Sequence, residues 1–300
     1  MTLPRRSRGF AAVAAIVTAA TVASIGAYLA WQGTLAVRQS ENMAAARQGA
    51  ALARAAAASA AAMLVRDDPR VDHRGEPWAR ALQPIEIDGT RAVVALVDEQ
   101  SKFNVNNLAD GNEIDLLAFR RLLVAVGLPA SLADAVVDWI DADDLVMEPA
   151  GAEDLYYLAL EAPYRTANRR IADISELLLV KGFSEARLRL LTPYITALPG
   201  STKVNVNTAS PELLAALLGS SSGDAKGLAA FRDKEPFAST ADIMKRVPDS
   251  ASKTASQLLD VRSNYFVAEG VVQSGRIAAG YRALIGREGP TVLAFSRDFG

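Results

Sequence analysis

Carboxylate side chains are concentrated in one stretch of the chain, at the end of one predicted helix and the start of the next. They are Asp138, Asp141, Asp143, Asp144, Glu153 and Asp154. Most of them can converge on the loop between the two helices. Oxygen-only ligands supplied by a loop suit calcium, which takes about 6 to 8 of them. The stretch is not an EF-hand, since no glycine follows Asp143 at the required place and Ala152 stands at the twelfth position.

On spacing alone, two other interpretations of these carboxylates stay open. Aspartates at helix ends and a Glu-Asp pair near a helix start are ordinary capping and dipole partners. The second interpretation is the metal site of a magnesium-dependent nuclease or other hydrolase, but no histidine or basic residue lies beside the cluster. Without a candidate base or an activated nucleophile, the residues specify no reaction.

An Asn-Val-Asn pattern occurs twice, in residues 103–108 and 203–209, and an amphipathic helical pattern follows each copy. The second copy, continued to residue 232, resembles the helix-hairpin-helix modules that bind DNA backbones. Such modules meet phosphate with the N–H groups of a glycine-rich hairpin. Here the corresponding residues 218–223 are longer and lack the usual Pro-Gly-apolar-Gly, which favours use of the module for its fold alone. A membrane-anchored DNA-binding protein is the alternative function.

Composition narrows the classes of protein further. The 300 residues suit about two domains. The formal net charge of −2 gives no global basic field that would attract nucleic acid. The absence of cysteine excludes disulfides, thiolate chemistry and cysteine-ligated zinc. The single histidine, His73, lies in a polar connector, so a Ser-His-Asp triad is disfavoured.

The N-terminal stretch has the length of a membrane anchor. After Arg5, Arg6 and Arg8, an uncharged apolar run covers residues 10–31, and a spanning helix needs roughly 20 residues. Strong helix formers without proline continue to residue 66, which predicts one rod of roughly 85 Å. The apolar run is too long for a cleaved secretory signal. We expect an uncleaved anchor whose arginines hold the N-terminus in the cytoplasm.

Strand patterns flank a helical middle. Residues 85–87 and 90–97 alternate around Asp88-Gly89, a pair that suits a type I′ hairpin turn. Strand patterns return over residues 264–297 as an antiparallel meander. Helical patterns lie between, over residues 113–126, 131–141, 152–160, 171–180, 184–191, 211–218, 225–234 and 240–247. The sequence therefore predicts an α+β fold.

Five features occur together in a specific order: Arg8-Gly9-Phe10 before the apolar helix, then residues 138–144, 151–157, 174–182 and 203–209. In this order the chain resembles the minor pseudopilin K family of bacterial type II secretion systems, over essentially its whole length. The resemblance implies a pilin-like long N-terminal helix packed on an antiparallel sheet. It also implies a large all-α insertion of the SAM or helix-hairpin-helix type.

The resemblance implies processing at the N-terminus. In that family a prepilin peptidase cuts after the glycine that corresponds to Gly9 and methylates the new amine, here on Phe10. The mature helix is then drawn from the inner membrane into a short periplasmic pseudopilus. The fifth mature residue is Ala14, where most pilins carry a glutamate that neutralises a neighbouring amine. A tip subunit has no neighbour above it, and a buried carboxylate without a partner would be costly.

The family's insertion makes the subunit too bulky for the filament shaft. The resemblance therefore implies a non-enzymatic subunit at the pseudopilus tip, in complex with the minor pseudopilins I and J, that helps to initiate assembly and protein export across the outer membrane. It also implies bound calcium. The expected ligands are Asp141, Asp143, Glu153 and Asp154. Asp138 and Asp144 are further candidate ligands.

The predicted organisation follows the same order along the chain. The segments are a leader (1–9), the membrane part of the helix (10–31), its soluble part (32–69), the first part of a pilin-like sheet (70–108), an inserted all-α domain (109–202), and a helix-hairpin-helix-like segment with the C-terminal strands (203–300). We expect a single-pass inner-membrane protein with a periplasmic C-terminal domain and no nucleic-acid partner.

Overall fold

The computed structural model describes residues 6–80, 83–275, 277–287 and 291–298; residues 1–5 of the predicted leader lie outside them. Helix α1 runs without interruption over Arg6–Val65, about 90 Å at 1.5 Å per residue. It ends just before Asp67-Asp68-Pro69, where proline has no N–H to continue the helix. The predicted continuous rod is confirmed.

The other helices and the strands are short by comparison. The helices are α2 (Glu113–Ala125), α3 (Leu132–Ile140), α4 (Asp154–Leu158), α5 (Glu185–Leu191), α6 (Pro211–Leu218), α7 (Ser222–Arg232), α8 (Thr240–Met244) and α9 (Asp249–Leu258). The strands are β1 (Ile85–Ile87), β2 (Thr90–Asp98), β3 (Phe103–Asn104), β4 (Ile195–Thr196), β5 (Val204–Asn205), β6 (Leu259–Asp260), β7 (Tyr265–Ser274), β8 (Ile277–Gly286) and β9 (Thr291–Asp298).

The largest sheet has five antiparallel strands in the order β1-β2-β7-β8-β9. Asp88 and Gly89 join β1 to β2 with φ angles of 50° and 71°. Positive φ at both central residues is what a type I′ turn requires. The predicted hairpin and the C-terminal meander are therefore both confirmed.

Helix α1 packs on this sheet through alanine. Ala56, Ala57 and Ala60 are fully buried and lie in one core cluster with Ala92 and Ala268 of the sheet. Side chains this small let the helix backbone come close to the strands. From residue 10 to residue 44 the helix is exposed along its length, so its N-terminal half extends beyond the sheet as a free rod.

The helices between β2 and β7 form a second core that contains both Asn-Val-Asn segments. Its buried members run from Phe103 to Val261, on both sides of the predicted 202/203 boundary. Within it, β3 pairs with β4 and β5 with β6, each as a two-residue parallel pair. These pairs were not predicted from the sequence, because two-residue strands carry no periodicity. Helix α9 was not predicted either.

The predicted α-helix over residues 171–180 is wrong. A 3-10 helix over Ile174–Leu179 takes its place, with the Asp173 side chain accepting from the Ser175 N–H at its start. Gly182, at φ 83°, turns the chain soon after it ends. A piece this short between a cap and a left-handed turn suits 3-10 geometry, which is used in short runs.

Candidate cation site

The carboxylate cluster is built on the end of α3, a helix buried along its whole length. Asp138, in its last turn, is fully buried, and its two oxygens accept from the Met147 N–H at 3.1 and 3.2 Å. The loop after α3 thus folds back over its own helix end. Gly151 permits this, because a Cβ there would lie 2.1 Å from the Asp138 carboxylate and 2.5 Å from the Met147 carbonyl oxygen.

Glu153 is the least compensated carboxylate of the cluster. Its side chain is 4% exposed, and in the part of the chain that the structure describes neither of its oxygens has a hydrogen-bond partner. Oδ1 of Asp141 is also buried without a partner. Buried acceptors left unpaired cost free energy, and buried charges are normally paired or coordinate metals. These orphaned oxygens therefore fit a cation with oxygen ligands.

Burial and mutual repulsion act on these groups together. Burial, followed by the charges of Asp138 and Asp141, raises the pKa of Glu153 to about 7. Burial, followed by the charge of Asp143, raises the pKa of Asp141 to about 6. The pKa of Asp138 is raised by burial as well. The cluster thus holds more negative charge than its protein surroundings neutralise, which a divalent cation would relieve.

The structure separates the predicted ligands into two groups. Asp143 and Asp144 are exposed at the edge of the cluster, and Asp144 lines an open cleft with Glu153. Asp154 is engaged elsewhere: Oδ1 accepts from the Thr166 N–H at 3.0 Å and from its hydroxyl at 2.9 Å, and Oδ2 pairs with Arg165 at 2.5 Å. These hydrogen bonds and the Arg165 charge lower the pKa of Asp154.

Partners contributed from outside the acidic stretch could not be predicted from it. Nζ of Lys181 donates to the Gly151 carbonyl oxygen at 2.9 Å and lies over the Tyr156 ring at 4.9 Å from its centroid. The Tyr157 hydroxyl, buried below, accepts from the Lys181 N–H at 3.1 Å. The segment after the 3-10 helix therefore holds the far side of the loop in place.

The first Asn-Val-Asn segment binds the protein's own backbone. Oδ1 of Asn106 accepts from the Ile171 N–H at 2.7 Å, and its amide donates to the Ile171 carbonyl at 2.9 Å. Asn104 accepts from the Leu198 N–H at 3.0 Å. These asparagines replace the strand partners that a two-residue strand cannot provide, and they satisfy buried backbone groups.

The second segment repeats this arrangement. Oδ1 of Asn207 accepts from the Phe237 N–H at 2.9 Å, and its amide donates to the Phe237 carbonyl at 3.0 Å. Oδ1 of Asn205 accepts from the Asn207 N–H at 2.9 Å, as Oδ1 of Asn104 accepts from the Asn106 N–H at 3.2 Å. The two copies of the sequence pattern thus form the same arrangement of hydrogen bonds from asparagine side chains to backbone groups.

The hairpin expected to meet phosphate in a DNA-binding module is exposed in this chain, and its groups make contacts within the protein. Gly219, at φ 60°, ends α6, and a Cβ there would lie 2.6 Å from the guanidinium carbon of Arg121. The arginine of α2 therefore packs directly against the glycine. The N–H of Ser221, which follows, is used in a capping box with Asp224. The Ser221 N–H is therefore used within the chain, and the hairpin lacks the free backbone donor that a DNA-binding module would use there.

A second acidic group lies where α1 meets the sheet. Among the described residues, one group of three carboxylates has oxygens within 4.8 Å of one another: Asp67, Asp72 and Glu76. Arg287 pairs with two of the three, since its Nη2 lies 2.8 Å from Asp67 and 2.7 Å from Asp72. Glu76 accepts from the His73 N–H at 2.8 Å and from the Trp78 Nε1–H at 2.7 Å. This group is an internal ion-pair network rather than a free cation site.

The residues of the predicted processing site lie in the first turns of α1. Gly9 is helical, and Phe10 is 79% exposed. By length and composition, the helix from Phe10 is apolar enough to cross a membrane, and its most apolar window is wholly exposed. A membrane anchor at the N-terminus is consistent with both observations.

Comparison with known proteins identifies a family. Two family models match, both described as type II secretion system (T2SS) protein K, over residues 101–200 and 204–262. The chain is 37% identical to the type II secretion system protein K of Pseudomonas aeruginosa, with 87% of this chain and 83% of that protein covered. It is 31% identical to the protein K of Pectobacterium carotovorum, with 98% and 97% covered.

A solved structure shares the fold. The crystal structure of the GspK-GspI-GspJ complex from the enterotoxigenic Escherichia coli type 2 secretion system contains a chain that matches with a TM-score of 0.76 and 26% identity. The match covers 87% of this chain and 98% of that one. This likeness confirms the predicted pilin-like α+β fold with its helical insertion. The chain belongs to the type II secretion system protein K family.

Proposed function

We propose that this protein is a non-enzymatic minor pseudopilin at the tip of a type II secretion pseudopilus. There it assembles with two partner pseudopilins, I and J, and helps to start pseudopilus assembly and protein export. The likeness to a chain solved in complex with GspI and GspJ supports these partners. Membership of a family of secretion components supports a structural role.

The observation that carries the proposal is the division of the molecule into two unequal parts. The N-terminal half of α1 is an exposed apolar rod, suited to packing beside the helices of other subunits. The helical unit, whose core runs from Phe103 to Val261, meets the chain just after the other end of that helix, where the Asp72 N–H donates to the Val261 carbonyl oxygen at 2.9 Å. A subunit this wide at one end fits the last position of a filament better than its shaft.

Processing and topology complete the proposal. A prepilin peptidase cuts after Gly9, and mature Phe10 carries the methylated amine. The arginines before the apolar run keep the N-terminus cytoplasmic, and the folded part lies in the periplasm. The fifth mature residue, Ala14, carries no charge, as suits a subunit with no neighbour above it.

Calcium is proposed at the end of α3. The donors are all oxygens, which is the preference of this ion. Asp141 and Glu153 carry orphaned buried oxygens, Asp138 anchors the loop, and Asp143 and Asp144 stand at its edge. Asp154, the fourth ligand expected from the sequence, would first have to release Thr166 and Arg165. When bound, the ion supplies positive charge that holds the loop on the helix end.

The test of the proposed function is the mass of the intact N-terminus in protein isolated from its own membranes. We expect a chain that starts at N-methylated Phe10 and loss of secretion in a Gly9→Val variant that is not cut. Gly26→Ala on the same helix is the matched control, because a Cβ at Gly26 would have no neighbouring atom within 4 Å. Secretion that continues with an uncut Gly9→Val chain would refute the proposal.

A further inference from the structure

A group of exposed apolar side chains surrounds the candidate cation site. Its members are Leu145 (76% exposed), Val146 (50%), Leu155 (87%), Tyr156 (40%) and Leu158 (44%), called here the apolar rim. Single exposed apolar residues are normal on protein surfaces, and this chain has others, such as Val124 on α2. A group of them at one place marks an interaction surface.

The apolar rim borders a defined cleft. Val146, Leu155 and Tyr156 line it together with Asp144 and Glu153, and its volume is about 410 Å³. Cavities that take ligands or inserted side chains span roughly 300–1,000 Å³. The cleft is therefore large enough to receive apolar side chains from another molecule and places a carboxylate next to them.

The backbone that presents the rim is held in place. Oδ1 of Asp143 accepts from the Leu145 N–H at 2.8 Å, which turns the chain where Leu145 projects into solvent. On the other side, Lys181 lies over the Tyr156 ring. A surface fixed in advance loses little conformational entropy on binding. These contacts thus fix a loop conformation in which the rim side chains are exposed.

The charge around the rim selects the kind of partner. The neighbouring carboxylates of Asp138, Asp141, Asp143, Asp144 and Glu153 outnumber the nearby cations. Arg165 is already paired with Asp154, and Lys181 together with a bound calcium ion would offset three of the five negative charges. The surface therefore stays negative with or without the ion. Such a field repels anionic lipid and attracts a basic partner.

We propose that the apolar rim docks a segment of another protein whose apolar face is flanked by lysine or arginine. The leucines and valine of the rim receive the apolar face, and the exposed carboxylates of Asp143 and Asp144 pair with its basic side chains. This inference goes beyond the proposed tip position and does not depend on calcium, since the sign of the field is the same in both states.

The test uses the full chain in nanodiscs of zwitterionic lipid. Because the chain has no cysteine, Leu158→Cys gives a unique thiol for an environment-sensitive dye. The probe is an amphipathic helical peptide with leucines on one face and flanking lysines, paired with the same peptide carrying glutamates instead. We expect saturable binding of the lysine peptide and binding of the glutamate peptide weaker by about tenfold or more, with a difference that shrinks in high salt.

Two variants distinguish binding at the rim from non-specific apolar binding elsewhere on the surface. Leu155→Asn should weaken binding of the lysine peptide by about tenfold or more, because it removes the most exposed apolar side chain. Val124→Asn, equally polar and also at an exposed position, should leave binding unchanged. The proposal would be overturned if the two peptides bound equally, or if no saturable binding were seen. It would also be overturned by an equal loss of binding in both variants, or by an equal dye response to phosphatidylglycerol vesicles.

Discussion

Replacing Glu153 with glutamine should stabilise the protein without calcium and weaken its response to calcium. Burial raises the pKa of this carboxyl from 4.5 to about 7. At about 1.36 kcal/mol per pH unit, this difference corresponds to about 3 kcal/mol. Because neighbouring carboxylates titrate with it, we assign about 2 kcal/mol to Glu153 alone.

The sign follows from the direction of the shift. A carboxyl whose pKa is raised in the folded state contributes stability below its ordinary pKa and loses it as the pH rises through the raised value. In chelator, the wild-type free energy of unfolding should therefore fall between about pH 4.5 and pH 7.5. Glu153→Gln should remove this part of the fall and be more stable by about 2 kcal/mol near pH 8.

Calcium should reverse the order of the two proteins. Ligand at about 100 times its Kd stabilises the folded state by about 2.7 kcal/mol, and the variant lacks one anionic ligand and gains less. Near-ultraviolet circular dichroism of the full chain in detergent can follow unfolding at this site, because Trp139 packs against Tyr157 with ring centroids 5.2 Å apart.

The matched control is Glu148→Gln, since Glu148 is exposed in the same loop. It should change neither the pH dependence nor the calcium response. If Glu153→Gln is less stable than wild type near neutral pH in chelator, the orphaned carboxylate is not a source of strain. If both proteins gain equally from calcium, the ion binds elsewhere.

Two further substitutions test how the structure is held. Gly151→Ala should lower calcium affinity and expose the loop to protease, because its Cβ would lie 2.1 Å from the Asp138 carboxylate. The control Gly200→Ala has open space around its Cβ and should do neither. Unchanged calcium affinity in Gly151→Ala would contradict the loop geometry. Arg287→Met should lower the free energy of unfolding by about 3–5 kcal/mol, because it leaves buried Asp72 without its partner. Denaturant titration should show that this loss grows as the pH rises through the pKa of Asp72, which burial raises to about 7. A loss that does not depend on pH would contradict the proposed role of Arg287.

Local patterns in the sequence were sufficient for much of the fold. The uninterrupted helix formers, the Asp88-Gly89 turn and the alternating C-terminal strands each depend on neighbouring residues, and all three are confirmed. The repeated Asn-Val-Asn pattern favours use of the second copy for its fold alone, and its contacts agree, but the sequence does not identify the groups that it contacts. Its asparagines bind backbone groups 30 to 133 residues away in sequence, which no local pattern encodes.

The position of the carboxylate cluster was predictable from the sequence, and its contacts were not; calcium there stays a prediction. Spacing placed the carboxylates on one loop, and the structure keeps Asp138, Asp141 and Glu153 together there. Spacing could not show that Asp154 faces Thr166 and Arg165, since those partners belong to a later loop. Nor could it show that Glu153 is buried, because burial depends on how the whole segment folds over α3.

The contact between the two cores is polar. Asp98, at the end of β2, is 3% exposed and accepts from Asn205 at 3.1 Å and from the hydroxyls of Thr208 at 2.5 Å and Ser263 at 2.8 Å. Directional bonds to a buried charge fix orientation more tightly than apolar packing does. The Asp98 network therefore helps to fix the orientation of the helical unit on the sheet.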